Sequence, residues 1–146
     1  MIWLILLISL LPFVAVAWRI DDWSRDWTTN TAATSPQASD PWLQPATTQL
    51  PVETLAARLT EWVSQQPAWS LQTTEQKGDA VHLQLIRSTR LLRFKDDVEV
   101  VLTATPAGTT VRASSASRVG KGDLGQNPRN LRELMQAVAE LAKESI

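Results

Sequence analysis

The chain of 146 residues contains no cysteine and a single histidine, His82. The absence of cysteine excludes disulfides, thiolate catalysis, zinc–cysteine sites and a lipidated N-terminal cysteine. One histidine cannot form a multi-histidine metal site within one chain. We therefore expect no metal and no cofactor.

The chain also lacks a charge excess of either sign. Lysine and arginine number 14 against 15 aspartates and glutamates, which gives a formal net charge of −1. Since no global field attracts polyanions, we expect no nucleic-acid partner. Any charged ligand must be recognised by a local cluster of side chains.

The first residues form the one long uncharged stretch. Ile2 to Trp18 spans 17 residues without a charge, close to the minimum length for a membrane-spanning helix. The triplet Ala15 to Ala17 would suit cleavage of a signal segment, but no basic side chain precedes the apolar run, which favours a retained anchor. We predict that residues 1–18 anchor the chain in a lipid bilayer and that the following domain is exported.

The composition changes after the apolar run. Residues 19–50 begin with Trp23 and Trp27, which are typical of a membrane interface, and continue as a segment rich in proline, threonine and serine. Closely spaced prolines disfavour helix and sheet and favour extended backbone. We predict a semi-stiff linker that holds the domain away from the bilayer.

Residues 51–146 carry the periodicities of an α+β domain. Helical spacing of apolar residues predicts helices from about 51 to 66 and from 128 to 143. Alternating residues and turn signals predict four strands in two hairpins, at about 69–74, 80–89, 97–105 and 109–118. The order is α-β-β-β-β-α, which predicts a two-layer domain in which two helices cover a four-stranded antiparallel sheet.

The segment from Ser114 to Arg129 is the least typical of a core element. Three of the five glycines of the chain, Gly120, Gly122 and Gly125, follow a strand and precede a helix. Their spacing matches a dinucleotide-binding fingerprint, but no strand follows the helix, so we reject that fold. Two interpretations stay open: an anion site at a helix N-terminus, or a tight connection in which Asn127 caps the helix.

The neighbouring strand could contribute two guanidinium groups. Arg112, Ser114, Ala116 and Arg118 share one strand face, which would suit a carboxylate, phosphate or phospholipid headgroup. The alternative is that Arg118 pairs with Asp96, Asp97 or Asp123 and braces the loop. The predicted ligand-binding residues are Arg112, Ser114, Ser115, Ser117, Arg118, Gly120, Lys121, Gly122, Asp123, Gly125, Asn127 and Arg129.

Catalytic patterns are sparse. The serines lack a nucleophile elbow, and His82 has no assigned partner for a triad. The catalytic candidates are the carboxylates Asp96, Asp97, Glu99 and Asp123. Because neighbouring strand residues point to opposite faces, at most Asp97 and Glu99 would converge.

Three motifs resemble one known family. They are Arg93-Phe94-Lys95-Asp96-Asp97-Val98-Glu99, Ser115-Ala116-Ser117-Arg118-Val119-Gly120, and Asp123-Leu124-Gly125-x-Asn127. In this order they resemble the domain-of-unknown-function family 1499, over about residues 41–141. The resemblance implies a shared domain, but it implies no particular activity, and no catalytic residue can be carried over from it. Where members often have a first arginine in the serine motif, this chain has Ser114, with Arg112 two residues earlier.

These observations predict a membrane-tethered, non-catalytic module. Its partner would be an anionic small molecule, a lipid headgroup or an envelope protein. Two alternatives stay open: an enzyme of unknown reaction that uses one or more of the four candidate carboxylates, with or without a metal, and a purely structural envelope protein.

Overall fold

A computed structural model describes residues 28–89 and 93–143 of the chain. The two helices are α1 (Val52–Gln65) and α2 (Gln126–Lys143). The strands are β1 (Thr31–Ala33), β2 (Ala46–Thr48), β3 (Trp69–Lys77), β4 (Ala80–Ser88), β5 (Lys95–Thr105) and β6 (Gly108–Ser117). A short 3-10 turn covers Pro41–Leu43.

The strands form one antiparallel sheet of six strands in the order β1-β6-β5-β4-β3, with β2 also paired to β6. The predicted four-stranded sheet is therefore wrong. β1 pairs with Ser114–Ala116 and β2 with Thr109–Val111, so the two share one edge position beside β6. Both lie within the segment expected to be a linker. Three-residue strands carry too little alternation to be predicted, and the prolines of this segment fall between them, where they cost no ladder bond.

The four long strands and both helices occur where the periodicity predicts them, with boundaries that differ by at most three residues. The largest difference is at β3, which continues to Lys77 through exposed polar residues that show no alternation. The predicted anchor, Ile2 to Trp18, lies outside the described residues. Within the described residues, no helix is both long and apolar enough to cross a membrane.

Both helices pack on the same face of the sheet. The alternating residues of the central strands, such as Leu83 on β4 and Val100 on β5, are fully buried beneath Leu59 of α1 and Leu134 of α2. Burial of each such side chain contributes roughly 2 kcal/mol. The other strand face, which we call the open face, carries the polar residues of the same alternation.

The two ends of the sheet differ in what they carry. One end, which we call the proximal end, contains the ends of β4 and β6, the start of β5 and the loop that leads to α2. The described chain also begins there, because the amide of Ser117 donates to the carbonyl of Asn30 at 2.9 Å. The other end, the distal end, carries the turns at Gly78 and Ala107.

An ion pair fastens the segment before α1 to α2. The Arg132 guanidinium donates a short hydrogen bond to the Asp40 carboxylate, and both side chains are partly exposed. Asp40 also accepts from the amide of Trp42 at 2.9 Å and so caps the 3-10 turn. The hydrogen bond from Arg132 lowers the pKa of Asp40, although burial opposes the shift.

The Asp40 pair should make part of the stability depend on pH. Since the pKa is lower in the folded state, this contribution is complete above the unfolded value of about 4 and is lost as the pH falls through the folded value. We expect Asp40→Asn to lower the free energy of unfolding by about 1 kcal/mol at neutral pH, and by less in acid. Urea unfolding at neutral pH and below about pH 4 measures both values.

Asp79→Asn is the matched control, because Asp79 lies in an exposed turn at the distal end. It should change stability little at either pH. If Asp40→Asn lowered the free energy of unfolding equally at both pH values, the ion-pair explanation would be contradicted.

Candidate functional site

The loop between β6 and α2 is held by its own side chains. The Asp123 carboxylate accepts from the amides of Gly125 at 2.8 Å and Asn127 at 2.9 Å. It therefore occupies the position that an anion would take at the start of α2. Gly120 and Gly125 have φ values of 96° and 74°, a region that favours glycine. Asn127 is thus not the capping residue; Asp123 is.

Asn127 instead lies at the centre of a buried polar network, which we call the brace. Its amide nitrogen donates to the carbonyl of Asn30 at 2.7 Å and to the hydroxyl of Ser117 at 3.0 Å, and its oxygen accepts from Ser115 at 2.5 Å. Both Asn127 and Ser115 are at most 1% exposed. The brace therefore joins α2, β6 and the residue before β1.

Asn130, one helical turn after Asn127, extends the brace to β5. Its amide nitrogen donates to the Asp96 carboxylate at 2.8 Å and to Ser115 Oγ at 3.2 Å. Asp96 is only 2% exposed and lies on the helix-covered side of the sheet. A carboxylate in this place serves as a hydrogen-bond acceptor for α2 and is shielded from solvent.

Arg118 and Asp97 form a two-pronged ion pair at the proximal end. The guanidinium donates to both carboxylate oxygens, at 2.9 and 2.6 Å. The hydrogen bond lowers the pKa of Asp97 and raises that of Arg118. About half of each side chain is exposed, so solvent screens the pair and its effect on stability is small. Among the three partners considered for Arg118, the structure selects Asp97.

The open face brings the remaining strand residues together. His82 Nδ1 lies 3.1 Å from a carboxylate oxygen of Glu99, and Glu99 is directly opposite Ser114. Arg112 is exposed two residues before Ser114 on the same face. Within the described residues, Arg112 makes no side-chain hydrogen bond or ion pair.

The other predicted site residues do not converge on these groups. Lys121 is exposed and Gly122 half-buried in the loop, whereas Arg129 donates to the carbonyl of Leu124 at 2.8 Å. Of the four candidate carboxylates, Asp97 and Glu99 share the open face two residues apart on β5, whereas Asp96 faces the helices and Asp123 caps α2. Across the described ranges, no three acidic or histidine side chains are grouped as metal ligands.

The comparison with models of known protein families shows to which family the chain belongs. The model described as "Protein of unknown function (DUF1499)" matches residues 22–138. The chain belongs to the DUF1499 family. A comparison with proteins of curated function gives no match. Among solved structures, the chain is similar to protein CV1439 from Chromobacterium violaceum, with 13% identity and a TM-score of 0.39, over 78% of this chain and 96% of that one.

The motifs through which the sequence resembles DUF1499 proteins coincide with the brace and its surroundings. Asp96, Ser115, Ser117 and Asn127 form the brace itself, and Asp123 caps the helix that carries Asn127. The contacts of these residues in the DUF1499 domain are structural, so no bound ligand is needed to explain why these residue types occur here.

Two parts of the DUF1499 domain were missed from the sequence. Asn130 could have been recognised, because it follows Asn127 at helical spacing on a face that is otherwise apolar. Glu133, a further turn along, accepts from Trp69 Nε1 at 2.8 Å and from Arg87 Nη2 at 3.1 Å. Beside them a cleft of about 400 Å³ opens at the proximal end, lined partly by Trp69, Arg93 and Glu133. These three residues are far apart in the sequence and follow no periodic pattern, so the sequence could not predict that they line one cleft.

Proposed function

We propose that this DUF1499 domain is a non-catalytic binding module, anchored in a bilayer by Ile2 to Trp18 on its exported side. Its ligand would be an anionic group, supplied by a small molecule, a lipid headgroup or an acidic side chain of an envelope protein. The observation that carries the proposal is Arg112, an exposed guanidinium with no partner among the described residues.

The surroundings of Arg112 favour an anion of modest size. Ser114 lies two residues along the same strand face, about 7 Å away, and offers a hydroxyl donor. A guanidinium presents a fork of donors that matches the oxygens of a phosphate or carboxylate. Glu99, opposite Ser114, has a carboxylate oxygen 3.1 Å from His82 Nδ1, so this side chain already has a polar partner of its own.

The competing enzyme hypothesis is less well supported by the same geometry. Acid–base chemistry needs carboxylates that can reach a substrate proton. Asp96 is buried in the brace, Asp97 is paired with Arg118, and Asp123 accepts two backbone amides. Of the two candidate carboxylates on the open face, Asp97 is held by Arg118, and Glu99 is the one that no described arginine binds. The structural-protein hypothesis is the outcome to be expected if Arg112 binds nothing.

Titration of the full chain in phosphatidylcholine nanodiscs tests the proposal. Glycerol 3-phosphate and acetate serve as probes, and amide chemical shifts report binding. We expect saturable shifts centred on Arg112 and Ser114, and an affinity roughly tenfold lower in Arg112→Gln, because one charged hydrogen-bonding group is lost.

Lys77→Gln is the matched control, since it removes the same charge at the distal end. It should leave the titration unchanged. If Arg112→Gln and Lys77→Gln lowered the affinity equally, only the net charge would matter. If neither probe shifted any amide resonance of the unmodified protein, the structural hypothesis would be favoured.

A further inference from the structure

The proximal end exposes two large apolar side chains side by side. Phe94 is 50% exposed and Val119 is 65% exposed. They lie on neighbouring chain segments, because the amide of Arg118 donates to the carbonyl of Lys95 at 3.2 Å. Among the described residues only Trp42 is a further exposed large apolar side chain. Phe94 and Val119 therefore form a small apolar tip.

Basic side chains surround this tip. Arg93 and Lys95 flank Phe94, and Lys121 follows Val119 by two residues; all three are exposed. Within the described residues, none of the three makes a side-chain hydrogen bond or ion pair. Two carboxylates at this end are already engaged, since Asp97 binds Arg118 and Asp123 caps α2. The tip is therefore locally cationic, although the whole chain is nearly neutral.

The described chain begins at this same end. The amide of Asp123 donates to the carbonyl of Thr29 at 3.3 Å, and Asn30 Nδ2 donates to the carbonyl of Gly120 at 3.0 Å. Only residues 19–27 separate the predicted anchor from Thr28. Even when fully extended, these nine residues span about 30 Å. The start of the described chain can therefore lie no more than about 30 Å from the end of the predicted anchor.

We propose that the apolar tip docks on the anionic surface of the bilayer that holds the anchor. Phe94 and Val119 enter the interfacial region, and Arg93, Lys95 and Lys121 contact lipid phosphates. This combination of apolar tip and basic rim suits an anionic membrane surface, whereas an apolar partner protein would leave the three cations unpaired. The proposal rests on the proposed tether. It also differs from the predicted linker, which would hold the domain away from the bilayer, because here the domain lies against the membrane.

The absence of cysteine makes a direct test available. Full-length Val119→Cys and Ala107→Cys proteins, each labelled with an environment-sensitive fluorophore, are reconstituted in phosphatidylcholine vesicles with or without phosphatidylglycerol. We expect the label at position 119 to report an apolar environment and to be quenched by spin-labelled lipid when phosphatidylglycerol is present. The label at position 107, at the distal end, should stay in water.

Charge variants provide the second measurement. Lys95→Gln with Lys121→Gln, introduced into the labelled Val119→Cys protein, should lower the ratio of docked to undocked label by roughly 25-fold, about fivefold for each basic residue. Lys77→Gln with Lys143→Gln removes the same charge at exposed positions away from the tip, and should leave the ratio unchanged. High salt should release the docked label.

Two different failures can be separated. If alkaline carbonate washing removes the chain from the vesicles, the tether itself is wrong. If the chain stays with the vesicles but the label at position 119 remains in water with phosphatidylglycerol present, the tether stands and the docking proposal is overturned. Docking that is equally strong on pure phosphatidylcholine would overturn the role assigned to the three cations.

Discussion

Gly108→Ala should lower the free energy of unfolding by roughly 3 kcal/mol, because an added methyl group meets backbone that cannot move aside easily. A Cβ atom at this position would lie 2.1 Å from the carbonyl oxygen of Thr48 and 2.7 Å from Cα of Gln49. The φ angle of 125° is a further obstacle for any side chain. Urea denaturation of the two proteins measures the difference.

Gly78→Ala is the matched control for Gly108→Ala. Gly78 also occupies a hairpin turn at the distal end with a positive φ of 63°, but nothing lies within 4 Å of the Cβ that it would acquire. We expect this variant to lose only about 1 kcal/mol, from backbone strain alone. If the two variants lost equal stability, the close contact between β2 and the β5–β6 turn could not explain the loss in Gly108→Ala.

Gly108→Ala should also have a local effect. β2 ends at Thr48, and Thr109 Oγ1 donates to the carbonyl of Leu50 at 2.6 Å. The close contact of Gly108 with the backbone of Thr48 and Gln49 therefore positions the segment that leads into α1. Hydrogen exchange should therefore quicken most at the β2–β6 pairing. Faster exchange confined to β3 would not fit this explanation.

Asn127→Ala is the second change with a large expected effect, and we expect it to cost about 3 kcal/mol. Truncation leaves the Ser115 hydroxyl without its acceptor and removes one of the two N–H donors of the Asn30 carbonyl, which keeps the backbone amide of Ser117. Water cannot readily replace the lost partner of Ser115, because Ser115 is only 1% exposed. Chemical denaturation at neutral pH measures the loss.

Asn127→Asp separates hydrogen bonding from packing. It keeps the volume of the side chain and one acceptor oxygen, but it turns a second oxygen toward the carbonyl of Asn30 and the hydroxyl of Ser117. We expect a loss at least as large as that of alanine. A loss well below that of alanine would show that volume, and not the hydrogen bonds, holds this position.

The adjacent serines supply a further internal control. Ser115→Ala removes a buried hydroxyl of the brace, whereas Ser114→Ala removes one from the open face. The first should be clearly destabilising and the second nearly neutral. In a double-mutant cycle, Ser115→Ala and Asn127→Ala should be strongly non-additive, because the two side chains share one hydrogen bond.

The alternation of residues such as Val81, Leu83 and Leu85 was sufficient to predict the long strands and the covered face of the sheet. That signal is local and repeats every two residues, so it survives without tertiary information. The three residues of β1 and of β2 carry no comparable signal. Their strand geometry comes from β6, which offers an unpaired edge to whatever segment lies beside it.

The sequence alone established that the segment from Ser114 to Arg129 is unusual, and that Arg112, Ser114 and Arg118 share one face. It could not decide that Asp123 would cap α2, or that Asn127 would turn inward to Ser115 and Asn30. Hydrogen-bond partners separated by 97 residues, such as Asn30 and Asn127, depend on how helix and sheet are stacked. Only the tertiary structure could assign them, because periodicity determines which side of an element a residue lies on and not which residue of another element it meets.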